Sequence, residues 1–145
     1  MTTTPSSQIL PVADLIAYQD GAVVSRQIVK AEAGNVTLFA FDLGQELSEH
    51  TAPFDALVHV LEGEVLISIS GKPFTLKGGE AIVMPANEPH ALKALKKFKM
   101  LLTMIRAEST LQTMEKNDSL QSHFGASFIL LTDRVLPPPP FPQNH

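Results

Sequence analysis

Short apolar segments separated by glycine or proline limit this chain to a fold built from β-strands. Val65, Ile67 and Ile69 alternate with polar side chains, with Leu66 as the exception, which predicts a strand that buries one face. Gly71 follows, and its tolerance of positive φ favours a tight hairpin there. Strands of this length and spacing are typical of a β-sandwich or barrel. The predicted strands are 22–29, 36–43, 56–61, 65–69, 74–76, 81–84, 91–95 and 98–105.

The length and net charge of the chain limit its number of domains and its kinds of partner. With 145 residues and 44% hydrophobic composition the chain can bury one core, and we expect a single barrel domain over 9–106. The net charge of −4 disfavours nucleic acid as a partner, because phosphate binding requires a basic surface. No apolar run is long enough to span a membrane, and no segment has the pattern of a signal peptide. The sequence therefore predicts a cytoplasmic protein without nucleic-acid or membrane partners.

The two ends of the chain lie outside the predicted barrel. Residues 1–8 are polar, and we expect them to be disordered. Ser109 and Asp118 each precede a glutamine by three residues, a spacing that favours helix N-termini. The segment 107–136 is therefore predicted to be a helical and extended appendix that packs on the barrel. Residues 137–145 are rich in proline, which cannot donate a backbone hydrogen bond, and we expect a Pro-rich tail in the polyproline conformation.

Two motifs in the middle of the chain resemble those of the cupin superfamily. In residues 44–64 a glycine is followed after five residues by His50, and the motif closes on Gly63. Residues 79–90 run from a glycine through a proline to His90, in the order of the second cupin motif. The resemblance is to the small single-domain, conserved-barrel cupins. It implies an all-β double-stranded β-helix, the jelly-roll barrel, with a metal or ligand pocket inside and often a homodimeric assembly.

Only two of the family's four metal-binding residues are present in this sequence. The family holds a metal ion with two histidines and a glutamate of the first motif and one histidine of the second. His50 and His90 match two of these positions, whereas Ala52 stands at the other histidine and Ala56 at the glutamate. The resemblance therefore implies a degenerate site with two histidines. We expect weak affinity, because zinc sites in proteins have three or four protein ligands.

Two carboxylates offer a third ligand for such a site. Glu46 shares the period-two phase of His50 if no bulge intervenes, and Glu88 lies two residues before the second histidine. A carboxylate beside two histidines would suit iron. Met100 and Met104 share a strand face and could offer thioethers to copper instead, although methionine at this spacing is usually core packing. The expected cofactor is a divalent transition metal (iron, nickel, manganese, zinc or copper), without an organic cofactor.

Three functions fit a barrel with this pocket. The first is a barrel that binds a small molecule without catalysis, since an apolar lining with a few polar groups is typical of ligand sites. The second is a metal-dependent oxygenase or isomerase with His50 and His90 as ligands. The third is a regulatory or partner-binding module. The predicted apolar lining of the pocket is Val58, Val60, Ile67, Met100 and Met104.

Other polar residues are expected on the surface or in turns. His59 is out of phase with Ala56 on its strand, so alternation sends it to the face opposite the pocket. Asn87 replaces a glycine of the second motif, but asparagine tolerates positive φ and the turn is expected to survive. Four lysines follow the second motif closely, and we expect a solvated hairpin. They are Lys93, Lys96, Lys97 and Lys99.

Overall fold

Nine β-strands and one short 3₁₀ helix make up the regular structure in the computed structural model, which describes residues 6–107 of the chain. The 3₁₀ helix spans Val12–Asp14 and precedes the strands. The strands are β1 (Val23–Ala31), β2 (Gly34–Phe41), β3 (Glu46–His50), β4 (Phe54–Glu62), β5 (Glu64–Ile69), β6 (Lys72–Lys77), β7 (Ala81–Met84), β8 (His90–Ala94) and β9 (Phe98–Arg106).

The strands form two antiparallel sheets that share one core. The larger sheet has the order β1-β2-β9-β4-β7 and the smaller one β3-β8-β5-β6. All seven neighbouring pairs in the described residues are antiparallel, which confirms the predicted all-β jelly-roll fold. Residues 1–5 and 108–145 lie outside the described residues, and with them most of the predicted appendix and the whole Pro-rich tail.

Two turns have the backbone conformation that the sequence predicts. Ser70 and Gly71 connect β5 to β6 with φ of 50° and 81°, so both central residues of this hairpin adopt positive φ. Such a turn matches the twist of the flanking strands. Asn87 has φ of 67°, and the turn of the second motif therefore survives without its glycine.

Phe41 and Phe98 fill one end of the barrel. They are cross-strand partners on β2 and β9, and their stacked rings have centroids 4.5 Å apart. In the same sheet, β4 buries Ala56, Val58 and Val60 at alternate positions while the side chains between them stay exposed. Each large apolar side chain buried in this way contributes roughly 1.5–3 kcal/mol to folding. The end that contains Phe41 and Phe98 is called the closed end below.

The N-terminal segment 12–18 covers part of the outer face of the larger sheet. Ile16 of this segment is buried in a cluster with Leu38, which has no exposed surface. Lys99 also contacts the segment, because its Nζ donates a hydrogen bond of 2.6 Å to the carbonyl oxygen of Ala13. The prediction that all four clustered lysines are solvated is therefore wrong for Lys99, which is buried.

Other described residues of this outer face are exposed. His59 is exposed on β4 and points away from the core, as the alternation predicts. Leu57, Val83 and Ile105 are exposed apolar side chains on the same sheet. Within residues 6–107, no helix has the length and apolar character needed to cross a membrane. The homodimer expected from the sequence stays a prediction.

Candidate functional site

The two motif histidines meet at the edge of the smaller sheet. His50 ends β3 and His90 begins β8, and the two residues are cross-strand partners. Their Nε2 atoms are 3.2 Å apart, and the rings lie edge to face with centroids separated by 4.4 Å. His50 is exposed whereas His90 is buried. The pair therefore reaches from the surface of the barrel into its interior.

The other nitrogen of each ring contacts a backbone carbonyl. Nδ1 of His50 lies 2.7 Å from the oxygen of Ser48, and Nδ1 of His90 lies 3.1 Å from the oxygen of Glu88. A carbonyl oxygen only accepts hydrogen bonds, so these two contacts favour the tautomer in which each Nδ1 carries the proton and donates. In neutral rings both Nε2 atoms then present lone pairs to each other. A cation between them, either a proton or a metal ion, is needed to make this contact attractive.

The environment of His90 disfavours its protonated form. Burial lowers the pKa of His90 below its ordinary value, and positive charge on His50 lowers this pKa further. The hydrogen bond to the carbonyl of Glu88 opposes these two effects without cancelling them. The buried imidazole is therefore kept neutral to lower pH than a histidine in water, and a neutral imidazole is the form that binds metal ions.

Stability is expected to decrease as the pH falls below about 6.5, the ordinary pKa of histidine. Because folding lowers the pKa of His90, the unfolded chain binds more protons between the lowered pKa and about 6.5. The free energy of unfolding is fully retained above that window and falls as the pH drops through it. Urea unfolding of the wild type and of His90→Gln at about pH 7.5 and about pH 5 measures the difference. Equal losses in both proteins would contradict it.

A small cavity adjoins the histidine pair. Its volume is about 60 Å³, and the two imidazoles are the only polar side chains among its described lining residues. This volume has room for a few water molecules or for an ion with a ligand of a few atoms, whereas drug-sized ligands need roughly 300–1,000 Å³. The remaining lining residues are Leu47, Ala52, Phe54, Ala56, Met84, Leu92, Met100, Leu102 and Met104.

The cavity is shallower than the pocket expected from the sequence. Met100 and Met104 line it as expected, but Val58, Val60 and Ile67 do not. These three side chains have no exposed surface and are buried in the core that the two sheets share. Alternation along a strand correctly indicates which face points inward, but it does not indicate how deep in the barrel a side chain lies.

A β-bulge removes Glu46 from the site. The pairing of β3 with β8 shifts by one residue between Leu47 and His50, so these two residues both line the cavity although they are three positions apart. Glu46 precedes Leu47, lies on the opposite face and is exposed opposite Lys93. The condition under which Glu46 could be a ligand, an unbroken period of two, is not met.

Glu88 approaches the site with its backbone and not with its carboxylate. Its carbonyl oxygen accepts from Nδ1 of His90, while its Oε1 accepts a hydrogen bond of 3.0 Å from Oγ of Ser70. Neither glutamate is among the residues that line the cavity. In the described part of the chain, no group of three His, Cys, Asp or Glu side chains could hold a metal ion. The complete ligand set of the family is therefore not reproduced there.

Met84 is a cavity residue that the sequence pattern does not indicate. It ends β7, it is buried, and its cross-strand partner on β4 is Ala56. On the other side of β4, Ala56 pairs with Met104 of β9. The position at which the family has its glutamate thus lies directly between two methionines. Only the alignment of three strands that are distant in sequence reveals this neighbourhood.

Comparisons with known proteins agree with this architecture. Residues 37–106 match the family model described as Cupin domain. A conserved protein of unknown function from Streptococcus pyogenes is 32% identical with a TM-score of 0.69, covering 75% of this chain and 98% of that one. A cupin superfamily protein from Desulfitobacterium hafniense is 27% identical with a TM-score of 0.68, covering 73% and 97%. The comparison with curated proteins gives no match.

A third solved structure covers only part of a longer chain. The Cupin 2 conserved barrel domain protein from Leptotrichia buccalis is 42% identical with a TM-score of 0.65, over 67% of this chain and 47% of that one. The family match includes both sequence motifs, and the two-sheet barrel brings the histidines of those motifs together. Sequence, fold and relatives lead to the same assignment: the chain belongs to the cupin superfamily.

Proposed function

We propose that this barrel binds one transition-metal ion between His50 and His90 and uses the open coordination positions to hold a very small ligand, without catalysing a reaction. The observation that carries the proposal is the 3.2 Å separation of two Nε2 atoms whose Nδ1 partners both face carbonyl oxygens. Two lone pairs at that distance repel each other unless a cation lies between them. A metal ion supplies the cation at a pH at which both rings are neutral.

The spacing of the two nitrogens supports a shared ion. Zinc binds imidazole nitrogen at about 2.0–2.1 Å, so two nitrogens on one tetrahedral ion are about 3.3 Å apart. The observed separation of 3.2 Å is close to this value. Carbonyl oxygens that accept from the non-coordinating nitrogen are common partners of metal-binding histidines, because they orient the ring and set its tautomer.

The lining of the cavity favours binding over catalysis. An ion held by two protein ligands keeps positions free for water or a small ligand, and the cavity of about 60 Å³ admits nothing larger than a few atoms. A metal-dependent oxygenase or isomerase would also have such open positions. Proton transfer in an isomerase, however, calls for a group with a suitable pKa, and no carboxylate or hydroxyl lies among the described lining residues.

Nitrogen-15 NMR of the histidine rings tests the proposal in the whole protein. Without metal at about pH 8, both His50 and His90 are expected to show the tautomer with the proton on Nδ1. On titration with zinc, both Nε2 resonances are expected to shift together and to saturate at one equivalent, while the ring of exposed His59 does not change. Protons on Nε2 in the metal-free protein, or a zinc titration that moves neither resonance, would overturn the proposal.

A further inference from the structure

Methionine side chains share the cavity with the histidine pair. Three of the five methionines of the chain, Met84, Met100 and Met104, line the same cavity as the two imidazoles. Met84 and Met100 are almost fully buried, and Met104 is half-buried. Thioether side chains have three rotatable bonds and a polarisable sulfur, so they adapt readily to a small ion.

Two of these methionines flank Ala56, the position at which the family has its glutamate. Ala56 pairs with Met84 on one side and with Met104 on the other. Cross-strand partners in an antiparallel sheet have Cβ atoms about 4.5–5.5 Å apart, so both methionines flank the space that a longer side chain at position 56 would fill. A methyl group therefore stands where the family has a hard oxygen ligand, with a soft sulfur donor next to it on each side.

We infer that this site selects a soft monovalent ion, copper(I), held by the imidazoles of His50 and His90 and by a thioether of Met84 or Met104. The inference rests on the proposed function and names its metal. Soft thioether ligands favour copper(I), whereas carboxylate and water favour harder ions.

The absence of charge on these ligands also favours copper(I). Imidazole and thioether are neutral ligands, and the described lining contains no carboxylate. A divalent ion would bring two uncompensated charges into an apolar cavity, whereas copper(I) brings one. The electrostatic cost of burying charge in a medium of low dielectric constant is large, and it rises steeply with the charge of the ion.

Methionine-to-leucine variants separate sulfur ligation from plain packing. Leucine has nearly the volume of methionine and lacks the sulfur, so Met84→Leu, Met104→Leu and the double variant keep the core filled. In the double variant we expect copper(I) affinity to fall at least about tenfold, or about 1.4 kcal/mol. Zinc affinity, which depends on the imidazoles, should change less than about twofold. Copper(I) affinity is measured without oxygen against a competing chelator, and zinc affinity by calorimetry.

X-ray absorption of the copper(I)-loaded wild type adds a direct readout. A sulfur neighbour of copper is expected in the wild type and should be lost in the double variant. Unchanged copper(I) affinity in that variant, or no sulfur neighbour in the wild type, would overturn the inference. If the wild type still binds zinc in that case, the proposed two-histidine site is retained. Failure of the wild type to bind either ion would instead overturn the proposed function, and this inference with it.

Discussion

Replacing His90 by glutamine is expected to lower the affinity for zinc or copper(I) by more than about 100-fold. Loss of a residue that only orients a ligand costs about 10–100-fold in metal affinity, and loss of a direct ligand from a two-histidine site should cost more. The remaining imidazole, His50, is exposed and would bind no better than any surface histidine. Isothermal titration of the dialysed protein with zinc measures the effect, and His50→Gln is expected to give the same result.

His59→Gln is the matched control for this experiment. It removes an imidazole from the exposed outer side of β4, away from the cavity, and is expected to leave the one-equivalent site unchanged. Circular dichroism of each variant establishes that the barrel is folded. If folded His90→Gln binds zinc as tightly as the wild type, the ion is held elsewhere and the pair is only a contact between two rings.

Gly63→Ala is expected to destabilise the barrel by more than about 4 kcal/mol, enough to unfold a large fraction of the molecules. Gly63 joins β4 to β5 with φ of 87°, a backbone conformation that residues other than glycine rarely adopt. A methyl group there would lie 1.9 Å from the carbonyl oxygen of Lys97 and 2.6 Å from Cα of Phe98. Both obstacles are backbone atoms, so neither can move aside without opening the pairing near the closed end. Urea or thermal unfolding measures the loss.

Gly71→Ala separates the steric part of this effect from the backbone part. Gly71 has a similar φ of 81°, but a Cβ added there meets nothing within 4 Å. Its replacement should therefore cost only the strain of positive φ, about 1–2 kcal/mol. If both variants lose the same stability, the close approach of Lys97 and Phe98 is not what makes glycine necessary at position 63.

Strand β3 shows where the apolar pattern stops being informative. Each of the other eight strands corresponds to a segment predicted from alternation or from an apolar run. β3 reads Glu-Leu-Ser-Glu-His, buries no side chain completely and is an edge strand of the smaller sheet. It is held by pairing with β8. A strand that is stabilised mainly by backbone pairing has no clear apolar pattern in its sequence. β3 is such a strand, and it carries His50.

The order of amino acids by itself determined the all-β class, most of the strands and the choice of His50 and His90, because these follow from local periodicity and from motif spacing. Only the tertiary structure decided the chemistry around the pair. Carbonyl oxygens face the Nδ1 atoms of both rings, a bulge turned Glu46 away, and Ala56 came to lie between two methionines. Local period determines which face of a strand a side chain occupies. Its depth in the barrel and its neighbours across the sheet depend on the register between strands that are distant in sequence.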